Sequence, residues 1–493
     1  MPAKLTLENG LSGEMGGGTF TFLTLPDQVR AGTVDVKYVD ETVKTMLRTK
    51  FSLGLFENPY PYEDYRSTLR TPETRELLHS MEEEAIVLLE NRNGTLPLSK
   101  SINSVALIGP QVDRVSVRRP SAHPSTVHQL TFPQFGDYVF FNASLNGISP
   151  LAGFTQLLAN TSVEVKYAQG CELWSNDPSG IPAAVEAAKS ADAAIVMVGT
   201  WTLDQTLLWT PGTNATTGEH VDLSDLGLVG AQLQLVQAIK DAGKPTIVVL
   251  VSGKPVAEPW IQAHADAVVQ QFYPGELGGL ALAEVIFGDV NPSGKLPVSF
   301  PRSVGTTPVF YNYLKGGRFV DPGQVLDDGT LIFGHQYVLD SPVPLWSFGH
   351  GLSYTTFNYT DLVLSKSTIS TGEDFSVTAT VHNTGNRDGK EVVQVFATDL
   401  VSSVVTPNQE LVGFQKVDLA YVPLASTVHP RVSDMWHVAC VSAGASTKVT
   451  INVNSSQLGL WSLDSRWVVE PGKFAIKIGT SDQTFVNTTL TVQ

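Results

Sequence analysis

Between Thr74 and Pro301 amphipathic segments alternate with short runs that are apolar throughout. TRELLHSMEEEAIVLLEN (Thr74–Asn91) carries a helical pattern, and SVALIGP (Ser104–Pro110) that of a buried strand. GIPAAVEAAKSAD (Gly180–Asp192) predicts a helix, AAIVMVGT (Ala193–Thr200) a strand, and VGAQLQLVQAIKDAG (Val229–Gly243) a helix closed by its glycine. PTIVVLVSG (Pro245–Gly253) and HADAVVQQFYPG (His264–Gly275) supply two more strands, and GGLALAEVIFG (Gly278–Gly288) a further helix. Strands with no polar face are buried on both sides, so this rhythm predicts an α/β domain with a mainly parallel sheet covered on both faces.

From about Thr360 the period shortens to two, as in FSVTATVHN, EVVQVFATD and TKVTINVN, with turn residues between the runs. That pattern predicts an immunoglobulin-like or fibronectin type III-like β-sandwich. Residues 302–345, rich in Gly, Pro and Asp, predict a long surface connection. Upstream, DETVKTMLRTKFSLGLF (Asp40–Phe56) predicts a helix with Val43, Met46, Leu47 and Phe51 on one stripe and no preceding sheet to cover. The expected organisation is 1–60, 74–301 (α/β), 302–345 (linker) and 346–493 (sandwich).

Two stretches interrupt these patterns. VRRPSAHPSTVHQLTFPQ (Val117–Gln134) has no periodicity and three prolines, and YVPLASTVHPRVSDMWHVACVS (Tyr421–Ser442) is longer than a sandwich loop needs. Both are read as retained introns, bounded by residues that splice sites could encode; the alternative is a pair of surface loops. Their histidines, and Cys440, then carry no argument for catalysis or metal binding.

Composition narrows the function. Apolar residues make up 42% of the 493 positions and charged residues 16%, so the surface relies on Ser, Thr, Asn and Gly. A net charge of -16 argues against nucleic acid or an anionic membrane as partner. The sequence contains no apolar run of about 18 residues, the length a membrane-spanning helix requires. With only Cys171 and Cys440, there is no disulfide framework. N-x-[ST] sequons at Asn93, Asn142, Asn160, Asn214, Asn358, Asn454 and Asn487 point to the secretory pathway, yet MPAKLTLENGLSGEMGGG lacks the apolar core of a signal peptide. The expectation is an extracellular protein whose natural start lies upstream of Met1. No Gly-rich phosphate loop follows SVALIGP or AAIVMVGT, which removes a nucleotide-binding reading, and no metal set or cofactor motif is visible.

Several blocks together resemble glycoside hydrolase family 3, the β-glucosidases and β-xylosidases. They are KFSLGLFENPYPYED (Lys50–Asp64), EEAIVLLENRNGTLPL, YPGELGGLALAEVIFGDVNPSGKLPVSFP (Tyr273–Pro301), WSFGHGLSYTTF (Trp346–Phe357) and SSVVTPNQELVGFQKV (Ser402–Val417). PGELGG and NPSGKLP are read as structural turns, and GHGLSY as a domain junction. LSGEMGGGTFTFLTLPDQVRAGTVD (Leu11–Asp35) resembles the final strand and helix of the family's TIM-like barrel, so residues 1–60 are expected to be a remnant of that barrel.

The resemblance implies an exo-acting retaining β-glycosidase, which needs two carboxyl groups about 5–5.5 Å apart, one a nucleophile and one an acid/base of raised pKa. EHVDLSDLGLVGAQ (Glu219–Gln232) resembles the family's acid/base loop at Glu219, Asp222, Leu226, Leu228, Gly230 and Gln232, and departs from it at His220, Leu223 and Val229. Glu219 is the implied general acid/base; Glu14, Asp204 and His220 are candidates to contact sugar. The nucleophile's Ser-Asp-Trp-like motif is absent, and Asp27, Asp35 and Asp40, on the helical side of the remnant, cannot replace it. The chain is therefore expected to be inactive alone. VKYAQGCELWSNDPSG (Val165–Gly180) resembles the β-xylosidase branch, which implies terminal β-1,4-xylose as substrate. Terminal β-glucose is the second choice, a non-catalytic carbohydrate-binding protein or pseudoenzyme the third. An oligosaccharide is the expected partner, and a homodimer is left open.

Overall fold

A computed structural model of the chain describes residues 2–15, 20–113, 147–202, 215–219, 221–315, 343–420, 445–481 and 484–493, with short pieces at 117–118, 129–130, 324–326, 328, 331–332 and 340–341. Asp204, His220, Cys440 and the Tyr421–Ser442 stretch lie outside the described residues. The chain divides into two compact units, Met1–Arg75 and Glu76–Gln493.

In the first unit the described residues form helices α1 (Pro2–Glu8), α2 (Leu25–Arg30) and α3 (Val36–Ser52), with a 3-10 turn at Thr21–Thr24. Ala3, Leu7, Leu25 and Val34 are its buried core. Asp35 starts α3 by accepting a hydrogen bond from the Lys37 amide at 3.0 Å, four residues or so before the stripe pattern would place the start. Val43, Met46, Leu47 and Phe51 are all exposed. The strand expected within Leu11–Asp35 is corrected: Leu11–Met15 are irregular, because a strand needs a neighbour to take its amides and carbonyls, and the described residues of this unit contain none.

Helix α4 (Pro72–Ala85) leads into the second unit. There follow β1 (Val87–Asn91), β2 (Ser104–Ile108), a two-residue pair β3 (Val117–Arg118) and β4 (Gln129–Leu130), α5 (Pro150–Leu158) and β5 (Glu164–Ala168). Next come α6 (Ile181–Lys189), β6 (Ala193–Gly199), α7 (Gln232–Asp241), β7 (Thr246–Val251), α8 (Pro259–His264), β8 (Ala267–Gln270) and α9 (Gly278–Phe287). The strand order is β1-β8-β7-β6-β2-β5, parallel throughout except where β1 pairs antiparallel with β8.

Every residue of β2, β6, β7 and β8 is buried, which is why their sequences are apolar without alternation. Val196, Val198, Val248 and Leu250 pack against Leu235, Val236 and Ile239 of α7 on one face. Ile195, Met197 and Val249 pack against Phe154 of α5 and Leu282 and Val285 of α9 on the other. The single helix expected over Thr74–Asn91 is corrected: it stops at Ala85, and the chain becomes strand β1. Ile86, Val87, Leu88 and Leu89 are wholly buried, and four consecutive apolar residues can all be buried in a covered strand but not on one face of a helix.

The connection holds a small pair, β9 (Gln324–Val325) with β10 (Leu331–Ile332). The sandwich comprises β11 (Phe357–Leu364), β12 (Thr368–Ile369), β13 (Phe375–Asn383), β14 (Gly389–Asp399) and β15 (Glu410–Leu419). It continues with β16 (Ser446–Val453), the hairpin β17 (Leu460–Trp461) and β18 (Trp467–Val468), β19 (Gly472–Gly479) and β20 (Phe485–Val492). Sheets β11-β13-β16 and β12-β20-β19-β14-β15 enclose Val377, Ala379 and Val381 against Val395, Ile476 and Leu490. Strand β13 alternates buried and half-buried positions along its length, as the period of two requires.

The junction between α/β domain and sandwich is built from NPSGKLP, read as a turn, and GHGLSY, read as a domain junction. Lys295 of NPSGKLP donates to the Gly351 carbonyl of GHGLSY at 2.8 Å and lies 3.6 Å from Glu391 in β14. Tyr354 donates to the Val285 carbonyl at 2.8 Å, and His350 Nε2 lies 2.9 Å from the Leu89 carbonyl.

Candidate active site

Strand β6 ends at Gly199, and the chain continues through buried Thr200, Trp201 and Thr202. The returning strand of chain is fastened to this segment. The Trp201 amide donates to Thr216 Oγ1 at 2.7 Å, the Thr216 amide donates to the Trp201 carbonyl at 2.9 Å, and Thr202 and Thr217 form a parallel bridge. Trp201 packs on Trp174 with ring centroids 4.8 Å apart, over buried Leu173. Gln111, beyond the end of β2, donates to the Thr200 carbonyl at 2.9 Å. Glu219 follows two residues after the bridge, on a turn and exposed. The turn sits at the carboxyl ends of β2, β6 and β7, where open α/β sheets present ligand-binding groups.

Downstream the loop is braced again. Gly230 has φ +72, and a Cβ there would lie 2.4 Å from the Ser175 carbonyl oxygen, so only glycine fits. Gln232 opens α7 fully buried; its Oε1 accepts from the Gly199 amide, and its Nε2 donates to the carbonyls of Leu173, Gly199 and Val229. From the far side of β7, Lys254 donates to the Leu226 carbonyl at 2.7 Å, and Glu258 accepts from the Leu228 amide at 2.7 Å. Burial pushes the Lys254 amine down to about 8, against the pull of Asp225 and Glu258. Burial likewise raises Glu258, with the Leu228 amide opposing. Sequence reasoning missed this clasp. The signal was a lysine and a glutamate, four apart, just after the strand PTIVVLV, at the same sheet edge as Glu219.

Of the other candidates, Glu14 belongs to the first unit. Its carboxylate accepts from the Thr21 hydroxyl, from the Thr21 amide at 3.1 Å and from the Phe22 amide at 2.8 Å. Thr21 and Phe22 together hold it below the usual carboxylate range. Glu14 thus tethers the 3-10 turn instead of ending a strand. Asp204 and His220 fall outside the described residues, and Leu223 and Val229, the departures from the family loop, are part-exposed. His79 and Glu83 of α4 and Glu284 of α9 bring ligand-type atoms within 4.8 Å of one another. His79 Nε2 lies 2.7 Å from a Glu284 carboxylate oxygen, so this set joins the two helices through a hydrogen bond. It was illegible beforehand because Glu284 lies 205 residues from His79.

An exposed carboxylate on a loop anchored at both ends can give and take a proton at a bridging oxygen. Attack from the opposite face needs a second carboxylate, and no Ser-Asp-Trp motif is present to supply it.

Comparison with known proteins shows the family and the fold. The glycosyl hydrolase family 3 C-terminal domain matches residues 86–354. A fibronectin type III-like domain matches 391–421 and 437–482, breaking off inside the Tyr421–Ser442 stretch. A β-xylosidase from Formosa agariphila is 33% identical over 93% of the chain and 56% of its own length. A periplasmic β-glucosidase from Salmonella typhimurium is 30% identical over 92% of the chain and 55% of its own length. Among solved structures, a β-glucosidase from Erythrobacter marinus superposes with a TM-score of 0.78 at 30% identity, covering 100% of this chain and 60% of that one. The chain thus spans little more than half the length of these relatives.

Proposed function

The chain belongs to glycoside hydrolase family 3, and we propose that it carries the acid/base half of an exo-acting retaining β-glycosidase releasing terminal β-D-xylose from xylo-oligosaccharides. The observation that carries the reading is the placement of Glu219: exposed at the carboxyl edge of the sheet, on a loop clamped upstream by Trp201 and Thr216 and downstream by Gln232, Lys254 and Glu258. In that role Glu219 protonates the glycosidic oxygen as it leaves, then takes a proton from the water that hydrolyses the glycosyl-enzyme. The nucleophile comes from a barrel carboxylate outside these 493 residues. The chain by itself is then without hydrolytic activity.

Xylose is preferred over glucose on the Val165–Gly180 stretch and on the Formosa agariphila β-xylosidase. The β-glucosidases among the relatives and solved structures support the second reading. Secretion fits the exposure of Asn93, Asn160, Asn358, Asn454 and Asn487, every sequon among the described residues.

The test uses aryl β-xyloside and aryl β-glucoside on two proteins: this chain, and the product of the full-length transcript through its locus. The chain should turn over neither substrate; the longer product should favour the xyloside. In the longer product Glu219→Ala should lower kcat by about 10²–10⁴-fold, with azide restoring turnover of substrates that have good leaving groups. A folded Glu219→Ala protein that azide does not rescue moves the role to another carboxylate.

A further inference from the structure

Hairpin β17–β18 puts two indoles into solvent at the edge of the sandwich, beside the turn joining β14 to β15. Trp461 is 63% exposed and Trp467 47% exposed, with ring centroids 5.8 Å apart and planes at 71°. Large exposed aromatics so close together are not explained by the core, and solvation of two indole faces is unfavourable. Trp467 is nonetheless fixed in place. Its Nε1 donates to the Ser456 carbonyl at 2.9 Å, and its ring lies so close over Gly459 that a Cβ there would fall 2.6 Å from Cε2.

The indoles flank a cleft of about 270 Å3 that is also lined by Asp399, Val405, Glu410 and Phe474. Glu410, the first residue of β15, is half-buried in it. Among the described residues its carboxylate has neither hydrogen bond nor ion pair, and burial alone raises its pKa. Among the described residues the Asp399 carboxylate accepts only from the Val401 amide, at 3.1 Å. A partly desolvated carboxylate without a donor is a cost that a hydroxylated ligand removes.

We propose that this cleft is a glycan-binding platform on the sandwich, separate from the acid/base loop, in which Trp461 and Trp467 stack on the CH face of a β-linked pyranose while Glu410 accepts hydrogen bonds from its hydroxyls. A pyranose combines a flat apolar face with a rim of donors, the pairing of chemistries that this cleft offers. A quaternary ammonium fits less well, since open indoles leave it hydrated and its attraction to the ring faces correspondingly weak. The choice of a β-linked glycan rests on the glycosidase reading; the cleft itself does not.

The experiment is tryptophan-fluorescence titration of the whole 493-residue chain with xylohexaose, cellohexaose and tetramethylammonium, alongside Trp461→Ala, Trp467→Ala, Glu410→Gln and Glu219→Gln. Circular dichroism checks each fold, and because both indoles are exposed the tryptophan variants should remain folded. The expected result is saturable oligosaccharide binding that Trp461→Ala weakens about tenfold, Glu410→Gln weakens less, and Glu219→Gln leaves unchanged. Binding lost in Glu219→Gln but kept in Trp461→Ala overturns the platform while leaving the glycosidase reading standing. Absence of oligosaccharide binding, or binding of tetramethylammonium alone, overturns it too. So does concentration-dependent dimerisation that Trp461→Ala abolishes, which would assign the patch to self-association.

Discussion

Gln232 and Gly199 hold each other through both ends of one side-chain amide: the Gly199 amide donates to Gln232 Oε1 at 2.8 Å, and Gln232 Nε2 donates to the Gly199 carbonyl at 3.1 Å. The last residue of the strand before the Glu219 loop is thereby tied to the first residue of the helix after it. The loop's 32 intervening residues hang from a fixed base, and the same Nε2 also serves Leu173 and Val229.

Replacing Gln232 by Leu keeps approximate volume but strands a buried amide and several carbonyls. Each unsatisfied group costs about 1–3 kcal/mol, so Gln232→Leu should destabilise the chain by at least about 3 kcal/mol in urea unfolding. A loss below about 1 kcal/mol would show that water replaces the amide.

Gly230→Ala tests the loop separately from the core. The new methyl meets the Ser175 carbonyl in a left-handed backbone conformation, so Ser175 and Val229 must shift. The expected loss is about 1–3 kcal/mol. In the product of the full-length transcript, the acid/base role proposed for Glu219 predicts that Gly230→Ala lowers kcat more than it raises KM. An unchanged kcat would separate loop geometry from proton transfer.

Lys295, Glu391 and Tyr359 form a buried network at the domain junction. Glu391 is 1% exposed, accepts from the Tyr359 hydroxyl at 2.9 Å, and lies 3.6 Å from Lys295. Removing one charge leaves the other unpaired, so Lys295→Met should cost about 3–5 kcal/mol, and adding Glu391→Gln should recover part of that. Equal losses in the single and double variants would mean that the two charges are not coupled.

Glu82 makes stability depend on pH. Its carboxyl accepts from the Leu277 amide at the start of α9, and burial pushes its pKa from 4.5 up to about 7. Folding therefore favours the protonated form: between about 4.5 and 7 the folded state binds more protons than the unfolded state, and stability falls as pH rises through that window. Glu82→Gln should flatten this slope and stabilise the chain above pH 7 by up to about 3 kcal/mol. An unchanged slope in the variant assigns the dependence to another group.

Local chemistry was legible wherever a segment's burial shows in its own pattern. AAIVMVG could only be a strand covered on both faces, and FSVTATVHN only one covered on a single face. The stretch AIVLLEN misled because its apolar run continues a helical pattern, and only pairing with β8 makes it a strand. The segment Leu11–Met15 misled in a related way: the expected strand has no neighbour among the described residues, and the Glu14 carboxylate accepts from the Thr21 and Phe22 amides.

By itself the sequence determined the alternation of helices and buried strands that marks the α/β domain, the sandwich class of the C-terminal domain, and the segment that holds Glu219, whereas β1, β5, α5 and α8 were not read from it. Those depend on periods of two and 3.6 and on turn residues, which are properties of neighbours along the chain. Tertiary structure alone decided the partners: Gln232 with Gly199, Lys254 and Glu258 with the backbone of the Glu219 loop, Lys295 with Glu391, and Glu410 left open, among the described residues, beside two tryptophans. Such pairs join positions tens of residues apart, and nothing in either local pattern specifies the other member until the sheet and sandwich bring them together.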